Sequence, residues 1–92
     1  MSNNGAMNIN KSEILNKICY TELVYGRINK KLGTQFSKSE IEKMIFEIIK
    51  EKPKEFFVKR GKNIYVTNKE DSIRITLNSN TYRVITVDDI DY

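Results

Sequence analysis

The 92-residue chain has no histidine, one cysteine and four glycines, and each shortage removes a class of function. Histidine is the side chain whose unperturbed pKa lies near neutrality, and it is the commonest metal ligand. Without it, most acid–base, triad and metal mechanisms lose their usual participant. The expectation is a protein that is not an enzyme and has no catalytic residues, no cofactor and no metal. The single cysteine, Cys19, cannot close an internal disulfide. Beside Ile18 on an apolar helix stripe, it is expected to be a buried core thiol and not a nucleophile. Phosphate-cradling loops need several glycines at fixed spacing between a strand and a helix, whereas Gly5, Gly26, Gly33 and Gly61 are scattered. No basic leader runs into an apolar segment of secretory or spanning length, so a cytoplasmic protein without a membrane partner is expected.

Acidic constellations are equally unpromising for chemistry. Glu40, Glu42, Glu47 and Glu51 alternate with Lys43 and Lys50 on one predicted helix, the pattern of a solvated, ion-paired face. Asp88, Asp89 and Asp91 lack the glycine and distant glutamate of a calcium loop and are expected to form a frayed acidic end.

What is present describes a small mixed domain. A hydrophobic content of 39% in a chain of this length supplies one core and one domain. Residues 1–9 are rich in Asn with few apolar groups, too few to offset the entropy of ordering, and are expected to form a disordered tail. The remainder, 10–92, divides into a helical half (10–52) and a β half (54–87).

Asn10 and Glu13 provide an N-cap oxygen and a first-turn carboxylate. Ile14, Ile18, Thr21, Tyr25, Ile28 and Leu32 then recur at steps of four and three until Gly33, a glycine placed to end a helix in the left-handed conformation. The pattern fits either one continuous helix or two separated near Tyr20. Ser37 and Glu40 form a capping box flanked by Phe36 and Ile41 in the positions of a hydrophobic staple. The helix they open carries Ile41, Met44, Ile45, Ile48 and Ile49 on one face and stops before Pro53.

After Pro53 the apolar period falls from about 3.6 to 2. Phe56 to Val58, Ile64 and Val66, Ile73 to Leu77, and Tyr82 to Val87 are predicted strands, separated by turn-forming clusters at 60–63, 68–71 and 78–80. The fold class predicted is α+β: a helical hairpin of two to three helices packed on one face of a three- to four-stranded antiparallel meander.

The formal net charge of +4 favours nucleic acid or an acidic protein surface as partner. Lys54, Lys59, Arg60, Lys62 and Lys69 crowd the first hairpin, and Arg27, Lys30 and Lys31 form a second cluster. If Ile73, Ile75 and Leu77 face the core, Arg74 faces away, with Tyr65 and Arg83 expected beside it. An aromatic among cations on a sheet is the platform on which single-stranded nucleic acid stacks. It is also what a solvated antiparallel face ordinarily displays. The candidate partner surface is therefore Lys59, Arg60, Lys62, Tyr65, Arg74 and Arg83.

The run Ile18-Cys19-Tyr20-Thr21-Glu22-Leu23, the turn and strand from Lys59 to Val66, and the hairpin from Arg74 to Thr86 together resemble a small bacterial family known only as a domain of unknown function. The resemblance spans roughly Ile14 to Val87. It implies a helix-then-sheet architecture in a bacterial cytoplasmic setting and names no activity. The function expected is a non-catalytic binding module, of a bacterium or its mobile elements, that docks on another macromolecule, a protein in the first instance, as an inhibitor or regulator. The alternative is an RNA- or DNA-binding domain using the basic sheet face and hairpin.

Overall fold

The computed structural model describes residues 9–90. Helices α1 (Lys11–Lys17), α2 (Glu22–Leu32) and α3 (Lys38–Glu51) lead through a 3₁₀ turn at Lys54–Phe56 into strands β1 (Phe57–Arg60), β2 (Asn63–Asn68), β3 (Ile73–Asn78) and β4 (Val84–Asp89). The strands form one antiparallel sheet in the order β1-β2-β3-β4, so the predicted α+β meander is the fold. No helix among the described residues is long and apolar enough to cross a membrane.

Local signals act where the sequence places them. Asn10 Oδ1 accepts the Glu13 N–H at 3.0 Å and starts α1. Gly33 ends α2 at φ 68°, ψ 37°, a conformation that a Cβ penalises. Asn29 then braces the link to α3: its Oδ1 accepts from the Thr34 hydroxyl at 2.7 Å and the Phe36 N–H at 3.0 Å. At the head of α3 the capping box is complete, with Ser37 Oγ accepting the Glu40 N–H at 3.1 Å and Glu40 Oε1 accepting the Ser37 N–H at 2.7 Å. Ile41 is buried, while Phe36, its partner in the expected staple, stays exposed. Replacing Ser37 with Ala is expected to cost about 0.5–2 kcal/mol. An unchanged denaturation midpoint would show that this cap contributes nothing.

The first apolar stripe belongs to two helices. Ile18 turns to extended backbone, and Cys19 pairs with the start of β4: its N–H donates to the Tyr82 carbonyl at 3.2 Å and its carbonyl accepts the Val84 N–H at 2.9 Å. That single parallel bridge, Cys19 to Arg83, corrects the reading of Cys19 as a core thiol. The residue is exposed, because a chain that leaves the helix to pair with a strand edge no longer follows the helical stripe. Two further differences follow from contacts distant in sequence. Ile9, assigned to the tail, is buried in the core, whereas the rest of that tail lies outside the described residues. Tyr82, assigned to a strand, sits before it at φ 60°.

The sheet has a dry side and an open side. Phe57, Val66, Ile75 and Val87 align across the strands, and Ile64, Leu77 and Val84 form the neighbouring row. These residues are buried with Ile14, Ile28, Ile41, Ile45 and Ile49 of the helices in one core. All three helices thus contribute to covering that core; on the opposite parity Val58, Arg60 and Arg74 are exposed, while Thr76, between Tyr65 and Thr86, is buried.

Candidate functional site

Strand register decides which predicted site residues meet. Val58 aligns with Tyr65 and Thr76, Arg60 with Asn63 and Asn78, and Thr67 with Arg74 and Asp88, all on the side away from the core. Together Val58, Arg60, Tyr65, Thr67 and Arg74 line an open cleft of about 360 Å³. The Arg74 guanidinium lies 5.6 Å from the centroid of the Tyr65 ring, within reach of a cation–π contact, and Tyr65 Oη accepts from Asn63 Nδ2 at 3.2 Å. Asp88, the acid opposite Arg74, is engaged elsewhere, by Lys31 of α2 at 2.8 Å. It is an ordered strand residue, contrary to the expected frayed end. The cleft holds two guanidinium groups and no carboxylate, and neither guanidinium forms an ion pair among the described residues.

The other predicted members lie apart. Lys59 aligns with buried Ile64 and so belongs to the opposite parity; its Nζ donates to the Gly61 carbonyl at 3.3 Å within its own turn. Lys62 is exposed in the β1–β2 turn, at the end of the hairpin. Arg83 does not join Tyr65. Its carbonyl accepts the Asn78 N–H at 2.9 Å and it bridges to Cys19, so it stands on the β4 side of the sheet, where it lines a separate cleft with Leu23 and Arg27. Val58, 44% exposed, is the residue that sequence reasoning missed. Its alternation was concealed by the unbroken apolar run Phe56-Phe57-Val58.

Elsewhere the titratable groups serve structure. Tyr25 Oη donates to Glu42 Oε2 at 2.6 Å, and that bond pushes the phenol up to about 12; the ring stacks on Tyr20, whose phenol is driven higher still by burial. Both phenols stay protonated at neutral pH. Glu13 accepts from Lys17 and from Tyr82 Oη, each at 3.0 Å, and these bonds, Lys17 first, hold its carboxyl below the usual carboxylate range. No three His, Cys, Asp or Glu side chains converge to hold a metal ion among the described residues.

No curated protein and no solved structure matches this chain. The family described as "Protein of unknown function (DUF3781)" matches residues 12–88, from within α1 to within β4, and the chain belongs to that family.

Proposed function

We propose that the chain is a non-catalytic cytoplasmic module that docks the open side of its sheet onto an acidic surface of another protein. The observation that carries this is the Val58–Arg60–Tyr65–Arg74 cleft, which presents two guanidiniums beside an aromatic ring and an exposed valine, with no carboxylate among its described lining residues. Arginine and tyrosine are the side chains that most often dominate binding energy at protein interfaces, and an adjacent aliphatic group helps exclude water from their contacts. A carboxylate on the partner gains a bidentate geometry from Arg60 that it cannot obtain from lysine.

RNA or DNA is the second reading, supported by the same cations with Lys62 nearby. Against it, base-stacking platforms use successive aromatics, whereas the cleft has one ring, over which Arg74 already lies.

The test is direct titration of the full chain with a Glu- and Leu-containing peptide and, separately, with a single-stranded oligonucleotide. The expected result is saturable peptide binding that perturbs Val58, Arg60, Tyr65 and Arg74. Arg60→Glu with Arg74→Glu should weaken it about 30-fold or more, the scale of a ~2 kcal/mol hot spot. Both arginines are exposed, so thermal stability should hardly change. Binding of the oligonucleotide alone, with a steep salt dependence that flattens in the double variant, would replace this reading with the nucleic-acid one.

A further inference from the structure

The two edges of the sheet differ. β4 is occupied at its start by Cys19, whose carbonyl accepts the Val84 N–H, and α2 packs along it, with Lys31 bonded to Asp88. The other edge is β1, which has β2 alone beside it.

Register decides which backbone groups of β1 are spare. Arg60 and Asn63 flank a two-residue turn with Gly61 at φ 59°, so they exchange the hydrogen bonds that close the hairpin, and Val58 and Tyr65 exchange the next set. Phe57 and Lys59 therefore point their N–H and carbonyl groups away from β2. The Phe57 N–H agrees, since it donates back to the Lys54 carbonyl and not to the sheet. Left over are the Phe57 carbonyl and both backbone groups of Lys59, which have no hydrogen-bond partner among the described residues.

An open strand edge can pair with many extended chains, so the side chains around it decide which one is accepted. Between Lys54 and Lys62 stand four cations and one carboxylate, that of Glu55. A second copy of β1 would set those cations against each other, whereas an acidic strand is drawn to them. Val58 and Arg60, both exposed, flank Lys59 on the open side and are the first side chains that an added strand would meet there.

We propose that the acidic partner adds an extended segment to β1 as a fifth, antiparallel strand, an inference that rests on the docking reading above and names the element of the partner that docks. One residue of the segment exchanges both backbone hydrogen bonds with Lys59. Its two neighbours fall opposite Arg60 and Val58 on the open side, where a carboxylate and an aliphatic group fit, and a second carboxylate suits the position opposite Lys59 itself. Read from its N-terminus, the segment is acidic, acidic, aliphatic.

The experiment uses the ¹⁵N-labelled full chain and the peptide acetyl-Ser-Glu-Glu-Leu-Ser-amide, compared with two forms of it that are N-methylated at one glutamate. Methylation at the second glutamate removes the N–H that donates to the Lys59 carbonyl, and it should weaken binding about tenfold or more. Methylation at the first, whose N–H points away from β1, should leave binding within about threefold. With the parent peptide at about ten times its dissociation constant, hydrogen exchange of the Lys59 amide should slow about tenfold, because only unbound chain exchanges. Equal binding of all three peptides, or a Lys59 amide left unprotected while Arg60 and Arg74 are perturbed, would overturn the added strand and leave side-chain docking on the open side intact. Binding by none of the three would remove both.

Discussion

Ile75→Ala is expected to cost the domain about 2–5 kcal/mol, the range for truncating a fully buried isoleucine and leaving part of its volume empty. Ile75 has no exposure, and its strand is paired on both sides, so Val66 and Val87 flank it in register. Ile45, also without exposure, faces the same core from α3 and should behave alike. Small domains have a total stability of roughly 5–15 kcal/mol, so either change removes a large share of it. Urea denaturation provides the check: the midpoint should fall while the slope stays near that of the wild type. Ile75→Val, which removes one methyl, should cost only about 0.5–1.5 kcal/mol. A midpoint for Ile75→Ala equal to the wild type would mean that the sheet buries its other side.

Phe57→Ala is expected to have the largest effect of any single truncation, about 3–5 kcal/mol. Phe57 is 1% exposed, and it is the first residue of β1, an edge strand with a neighbour on one side only. Its ring therefore supplies much of the burial that secures the strand. Lys11 Nζ lies 5.8 Å from the ring centroid while donating to the carbonyls at the end of α3, so one aromatic supports the meeting point of α1, α3 and β1. Val58→Ala, one position along and on the open side, is the control and should fall within roughly 0.5 kcal/mol of wild type. Equal effects at the two positions would contradict the assignment of the faces.

The contrast between these neighbours shows what sequence can and cannot reveal here. Helix boundaries were legible where a side chain bonds to its own neighbourhood: Asn10, Ser37 with Glu40, and Gly33 act within a turn of where they stand. The hairpins were legible for the same reason, since turn chemistry and alternation are local. Alternation failed at Phe56-Phe57-Val58, where only pairing with Tyr65 and Val66 tells which residue faces inward. Ile9 and Cys19 were misread because their environments come from remote partners: Ile9 joins the common core, and Cys19 bonds residues more than sixty positions away. Of the predicted surface, Arg60, Tyr65 and Arg74 come together. Lys59 lies on the other parity and Arg83 on the β4 side of the sheet beside Cys19, placements that no local pattern records.

The break after Lys17 leaves α1 with seven residues, too few to hold a helix in water by themselves. Its anchors are distant: Lys11 to the end of α3, Glu13 to Tyr82, and Cys19 to the residues that open β4. The meander closes by short turns between consecutive strands, at small loop-entropy cost, whereas α1 must wait for the chain to return to it. Its contacts with Tyr82 and with the start of β4 can form only once residues 82–84 have been made, after all three helices.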